Sequence, residues 1–314
     1  MPFCLGIDTS NYTTSAALAK SETGEITQKR RLLEVKSGSK GLQQSNAVFQ
    51  HVRALPELLE ELMPGVSEPL LAVGASVRPR DLAGSYMPCF KVGEGSGRSL
   101  AAALHVPFYG FSHQAGHIAA ALFSIGRMEL LGAPLVAFHV SGGTTEAVRC
   151  TPESGGRFQT EVIAQSLDLK AGQLIDRTGL LLGLAFPAGP ALETLAAQSS
   201  RVFQIRPTMK GLDCCLSGVE NQCARMAEQG EEPKDVAAYC LQSVCAAIDR
   251  MTRLVLKQFP GVPLVFAGGV MSNTMIRETI GRKVRAFFAA PGFSADNAAG
   301  IAALTRRQVL KDEE

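Results

Sequence analysis

Residues 5–18 read Leu-Gly-Ile-Asp-Thr-Ser-Asn-Tyr-Thr-Thr-Ser-Ala-Ala-Leu, and residues 136–149 read Val-Ala-Phe-His-Val-Ser-Gly-Gly-Thr-Thr-Glu-Ala-Val-Arg. At a constant offset of 131 residues (Thr144 over Thr13), Ser10 meets Ser141, Thr14 meets Thr145 and Ala16 meets Ala147. Each segment is an apolar strand, a turn of small polar residues and a second β-prone run, which predicts a β-hairpin opening each of two related halves. Small hydroxyl residues and free backbone N–H groups at such tips form a concavity suited to phosphate oxygens.

Outward from the repeat, apolar residues at mixed three and four spacing predict helices over 48–62, 99–104, 113–123, 167–182, 236–259 and 297–310. Apolar runs at 70–75, 135–140 and 264–266 predict strands. Strands alternating with helices in two halves indicate an α/β architecture, with one lobe at 1–130 plus about 292–314 and the other at 131–291. The third run, Leu264 to Asn273, ends in Gly268-Gly269, where a base or ribose could approach the backbone. Gly93-Glu-Gly-Ser-Gly-Arg-Ser99 lacks a Gly-Lys-Ser/Thr ending and is read as a flexible entry to the helix from Ser99. Loops are read at 36–41 and 152–156.

Thirty-one Lys and Arg against 29 Asp and Glu leave a net charge of +2, which excludes a polybasic nucleic-acid binder. The apolar stretch 118–131 is cut by Arg127 and Glu129, short of the roughly 20 residues of a spanning helix, so no membrane partner is expected. The first residues carry no basic flank and reach an acid at Asp8, unlike a signal peptide. Eight cysteines without a Cys-x-x-Cys pair read as reduced thiols, so the expected location is cytoplasmic.

His113-Gln-Ala-Gly-His117 places two imidazoles one turn apart on one helix face, either as ligands of one metal or as cap and surface residues. Gln114 stands where the zincin motif needs Glu, which disfavours proteolysis. Asp296, in Ser294-Ala-Asp-Asn, reads as a helix N-cap or as a third ligand. Lys210 to Val219 is a turn feeding a helix, and His51 and His105 read as structural.

In order along the chain stand G-I-D-T-S (6–10), H-x-x-G-H (113–117), V-S-G-G-T (140–144) and A-G-Q-L-I-D-R-T-G-L-L-L-G-L-A-F-P-A-G-P (171–190). K-G-L-D-x-x-x-S-G (210–218), A-G-G-V-x-x-N (267–273) and A-D-N-A-A (295–299) follow. Taken together these resemble the tRNA threonylcarbamoyladenosine synthase family, once described as glycoprotein endopeptidases. The resemblance runs from residue 5 to about 302.

That resemblance implies an actin-like, Hsp70-like ATPase fold of two lobes with a nucleotide cleft between them. It implies transfer of a threonylcarbamoyl group from threonylcarbamoyl-AMP to N6 of adenosine 37 in tRNA. It further implies one divalent transition metal, iron or zinc, on His113, His117 and Asp296, with an adenine nucleotide as ligand. Adenylate contacts carry over to His139, Val140, Ser141, Gly142, Gly143, Thr144, Asp176, Gly189 and Asn273, with Asp176 the candidate for orienting a sugar hydroxyl or moving a proton. Expected partners are tRNA, a paralogous subunit and an accessory ATPase.

The chain departs from the family pattern at four places. Ala115 replaces the Glu of H-x-E-G-H, and Asn11-Tyr12-Thr13 replaces Cys-Asp-Glu. Ala188 replaces a turn Gly, and Thr144 stands where His or Asn is common. These losses of acids motivate an alternative, a nucleotide-binding paralogue or partner subunit with altered chemistry; a metallopeptidase ranks last.

Overall fold

The computed structural model describes residues 2–10, 12–35, 42–64, 68–293 and 298–312, which fall into two compact units. The first comprises 1–133, 151–160 and 292–314; the second comprises 134–150 and 161–291.

The first unit opens with β1 (Phe3–Ser10), β2 (Thr13–Lys20) and β3 (Ile26–Leu32), followed by α1 (Gln44–Leu62) and β4 (Leu70–Arg78). Then come α2 (Phe90–Leu104), β5 (Phe108–Ser112) and α3 (His113–Ser124). The sheet order is β3-β2-β1-β4-β5, antiparallel across the first three strands and parallel from β1 through β4 to β5.

After it come β6 (Leu135–Val140), β7 (Thr145–Pro152), β8 (Phe158–Gln165), α4 (Ala171–Leu181) and α5 (Gly189–Ala196). A short hairpin of β9 (Thr208–Lys210) and β10 (Asp213–Cys215) leads into α6 (Ser217–Glu228) and α7 (Pro233–Gln258). The chain continues through β11 (Leu264–Ala267), α8 (Thr274–Gly281), β12 (Ala286–Phe288) and α9 (Ala299–Asp312). The second large sheet runs β12-β11-β6-β7-β8, the order of the first with its elements renumbered.

Register confirms the duplication residue by residue. Asp8 pairs with Ser15 and Thr9 with Thr14; at the same offset His139 pairs with Glu146 and Val140 with Thr145. Both predicted hairpins are present.

Burial on both faces of β1 follows from its near-continuous apolar run. Leu5 and Ile7 point into a core with Leu55, Val73 and Ala101, while Ala17 and Ala19 of β2 pack against Ala298 and Ala302 at the start of α9. In the second unit Phe138, Phe266 and Phe288 stack across β6, β11 and β12 with ring centroids 4.7 and 5.2 Å apart. Each such pair adds about 0.5–1.5 kcal/mol beyond its area burial.

One expectation is corrected. Residues 93–99 are not a flexible entry but lie inside α2, which begins at Phe90. The glycines serve packing: a Cβ on Gly93 would stand 2.9 Å from Thr9 Oγ1, and one on Gly97 2.8 Å from the Phe108 ring. Residues 36–41 lie outside the described residues, as do Ser294 and Asp296. Among the described residues no helix is long and apolar enough to cross a membrane.

Candidate functional site

The first constellation stands where β5 turns directly into α3. Ser112 caps the helix, its Oγ accepting the Ala115 N–H at 3.1 Å and donating to Asp81 at 2.9 Å. This fixes the first turn, from which His113 and His117 project on one face with Nε2 atoms 3.0 Å apart. Behind His113 lies Asp8 of β1, fully buried. Its Oδ1 is 3.2 Å from His113 Nδ1 and also accepts the Ser76 hydroxyl of β4; Oδ2 accepts the Ser10 hydroxyl at 3.0 Å. Two hydroxyl donors on one buried carboxylate hold it as a fixed acceptor beside the imidazole.

Two imidazole nitrogens converging at this distance, one backed by a carboxylate, are a donor set that fits a divalent transition cation. Asp296, the third expected ligand, falls outside the described residues, and no group of three or more potential ligands occurs among the described ones. Ala115, where the family pattern has Glu, is buried away from the imidazole face. It helps wall a separate cavity of about 540 Å³ with Arg78, Tyr109 and Arg157. At the first hairpin tip Tyr12 is exposed and Thr13 is buried in register with Ser10.

His51 of α1, read as structural, is fully buried with its Nδ1 2.7 Å from Thr14 Oγ1. Burial lowers its pKa to about 4, partly opposed by the charge of Asp8. His105 ends α2 in a left-handed conformation at φ 55°.

The second constellation forms around the second hairpin. Its tip is closed by Ser141 N–H donating to the Thr144 carbonyl at 2.7 Å and Thr144 N–H donating to Ser141 Oγ at 3.2 Å. Gly142 and Gly143 are exposed at the turn. The start of α4 presses on that tip: Gly172 N–H donates to the Ser141 carbonyl at 3.1 Å, and a Cβ on Gly172 would fall 2.5 Å from Gly142 N. One turn further, Asp176 accepts the Ala188 N–H at 2.9 Å, tying α4 to the start of α5. The methyl of Ala188 occupies space that a side chain at Gly179 would need, which accounts for its tolerance there.

These elements enclose a cavity of about 370 Å³ lined by Gly142, Asp176, Gly189, Glu193, Gly269 and Asn273, among others. The volume lies within the range of small-molecule sites. Asn273 caps α8, accepting the Ile276 N–H at 3.0 Å, and Glu193 accepts the Thr274 N–H at 2.7 Å. Gly268 is held at φ 101° against the Val140 carbonyl, while Gly269 fronts open space. Four expected contacts (Gly142, Asp176, Gly189 and Asn273) thus share one wall system. His139, Val140, Ser141, Gly143 and Thr144 do not line it, and Val140 is buried.

Sequence reasoning missed Asp8, Glu193 and Asp168. Asp168 accepts the N–H groups of Leu169, Leu216 and Ser217 and the Ser217 hydroxyl, pinning the start of α6. Burial pushes its carboxyl up, but these hydrogen bonds together outweigh that and hold the pKa at about 2.

Comparison with known proteins bears on both constellations. Residues 35–303 match the sequence profile of the tRNA N6-adenosine threonylcarbamoyltransferase family. A protein of that description from Prochlorococcus marinus (strain MIT 9303) is 30% identical over 341 residues, covering 100% of this chain and 92% of the relative. Among solved structures, component A of (R)-2-hydroxyglutaryl-CoA dehydratase from Acidaminococcus fermentans aligns with a TM-score of 0.55 at 18% identity, over 99% of this chain and 100% of the other. HypF from T. kodakarensis aligns with a TM-score of 0.62 at 13% identity, over 99% of this chain and 48% of its own. At such identities the likeness shows the fold alone, the α/β actin-like ATPase architecture already visible in the two equivalent sheets. The full-length relative and the profile, which spans the imidazole pair, the second hairpin and Asn273, agree: the chain belongs to the tRNA N6-adenosine threonylcarbamoyltransferase family.

Proposed function

We propose that this acyltransferase-family chain moves a threonylcarbamoyl group from threonylcarbamoyl-AMP to N6 of adenosine 37 in tRNA. The observation that carries this reading is the cavity at Gly142, Asp176, Gly189 and Asn273, which gathers residues from three separated motifs. Its glycines admit a flat purine or ribose against the backbone, and its carboxylates Asp176 and Glu193 suit sugar hydroxyls. The exposed turn at Gly142 and Gly143 offers backbone N–H groups as donors for phosphate oxygens.

In the transfer, the acceptor nitrogen bonds to the carbamoyl carbon of the mixed anhydride, the C–O bond to phosphate breaks, AMP leaves and the nitrogen sheds a proton. Asp176 orients a ribose hydroxyl, and its bond to the Ala188 N–H keeps it in place. His113, His117 and Asp296 would hold a divalent cation, iron or zinc, which would supply charge neutralisation at the phosphate and polarisation of the carbamoyl carbonyl. A paralogous subunit and an accessory ATPase are the expected partners.

A second reading, a nucleotide-binding partner subunit without the chemistry, is favoured by one observation: Tyr12 and Thr13 leave the first hairpin tip without acids. Reconstitution with threonylcarbamoyl-AMP, tRNA and partner proteins, read by mass spectrometry of tRNA nucleosides, separates the two. Transfer that is lost in His113→Ala supports the enzyme. Normal adenylate binding with no modified nucleoside establishes the partner subunit.

A further inference from the structure

We infer that the cavity of about 540 Å³ behind α3 is a second small-molecule site, which takes a free α-amino acid with an apolar side chain, Arg157 meeting its carboxylate and Glu153 its ammonium. All of its lining residues belong to the first unit, whereas those of the adenylate cavity belong to the second. The inference therefore stands apart from the proposed transfer.

Hydrogen bonds frame this cavity from two sides. Asp81 accepts from Arg78 at 2.7 Å and from the hydroxyls of Ser112 and Thr160, each at 2.9 Å, which ties the end of β4 to the start of α3 and to β8. Gln308 of α9 donates to the Gly155 carbonyl at 2.7 Å and to Asp312, which also takes the Tyr109 hydroxyl at 2.6 Å. Walls held in this way need little ordering when a ligand enters, and the volume suits a small molecule. Position 115 matters here. Its Ala lines the cavity, and the Glu of the family pattern would extend a charged chain into the same space.

Phe108, Tyr109, Phe111, Phe158 and Leu304 supply an apolar wall. The charges at the mouth then decide the ligand. Asp81 is saturated by its three donors, and Arg78 is paired with it. Arg157 and Glu153 are exposed, face the same cavity and share one turn, which the Glu153 N–H closes on the Arg157 carbonyl at 2.8 Å. Yet their side chains make no hydrogen bond or ion pair with each other or with any other described residue. An anion alone would confront Glu153, and a cation alone would confront Arg157. A zwitterion satisfies both: the guanidinium fork takes the carboxylate through two N–H groups, Glu153 takes the ammonium, and the side chain lies on the aromatic wall. Because both charges are exposed, the expected Kd is about 1 mM.

The test is the ¹H–¹⁵N amide spectrum of the whole chain titrated with L-phenylalanine, with 3-phenylpropionate, which lacks the ammonium, and with 2-phenylethylamine, which lacks the carboxylate. Expected are shifts of the lining Gly110 and Gly156 with phenylalanine, and binding about tenfold weaker for each analogue. Arg157→Gln should weaken phenylalanine about tenfold and leave phenylethylamine as it was; Glu153→Gln should weaken phenylalanine equally and leave phenylpropionate as it was. Ala115→Glu should abolish all binding; if that variant melts early, the two variants on the exposed turn decide alone. Phenylpropionate binding as tightly as phenylalanine overturns the zwitterion. Unchanged phenylalanine affinity in either turn variant overturns the assignment of that residue. No movement of Gly110 and Gly156 with any of the three compounds, or movement of Gly142 and Gly189 in their place, overturns the site.

Discussion

A Cβ placed on Gly300 would stand 1.8 Å from the carbonyl oxygen of Gly116, so α9 and α3 meet backbone to backbone in the middle of the H-x-x-G-H motif. A Cβ on Gly116 would instead meet Ile301 Cδ1 at 2.9 Å, the end of a flexible side chain. Gly300→Ala should therefore destabilise the protein by about 3 kcal/mol, and Gly116→Ala by clearly less. Urea unfolding midpoints check this; equal losses would show that the two glycines do not differ in kind.

His51 is held neutral in the fold, at about pKa 4 against an ordinary 6.5. Below pH 6.5 the unfolded chain takes a proton that the folded chain refuses until about pH 4, so stability falls with falling pH across that window. The expected loss is on the order of 3 kcal/mol. In His51→Gln the same titration of the unfolding midpoint should be flatter, and an identical slope would remove His51 as its source.

Asp168 works in the opposite range. Its carboxyl, at about 2 in the fold against an ordinary 3.8, supports stability above pH 4, and that support is lost as pH falls from 4 toward 2. Asp168→Ala should cost about 1 kcal/mol at pH 7, as loss of a helix cap does. The difference from wild type should close near pH 2. A difference that persists there would assign the loss to packing.

Asn273 has two duties that calorimetry and melting separate. Removing its cap on α8 in Asn273→Ala should cost about 1 kcal/mol of stability. If its side chain also touches adenylate in the cavity it lines, AMP affinity should fall about tenfold, or 1.4 kcal/mol. A less stable variant that binds AMP as tightly as wild type would confine Asn273 to the cap.

The duplication was legible because strand register carries it: an offset of 131 residues aligns the letters and also the cross-strand pairs Asp8–Ser15 and His139–Glu146. The imidazole pair was legible because helical spacing is local. Asp8 was not, since its partners Ser76 and His113 lie 68 and 105 residues away and no local pattern marks them. The glycines of α2 misled for a related reason. Glycine ordinarily weakens a helix, and what outweighs that here is the approach of Thr9 and Phe108 from other strands. Asp168 sits in an unremarkable Ser-Leu-Asp-Leu stretch, and only the folded turn at Leu216 and Ser217 gives it three further donors beside the local Leu169 N–H.

The seating of α9 on β1, β2 and β4 has a consequence for how the protein is born. The strands that need this helix are finished by residue 112, but the helix itself spans Ala299–Asp312. At roughly 5–20 residues per second, the ribosome leaves that sheet face uncovered for on the order of 10–40 s. During that interval Ala17, Ala19 and the backbone at Gly6 have no cover from α9, and the emerging chain presents the kind of surface that holding chaperones bind. Nascent chains stalled before residue 299 should therefore be protease-sensitive in β1 and β2, and release past residue 312 should protect them.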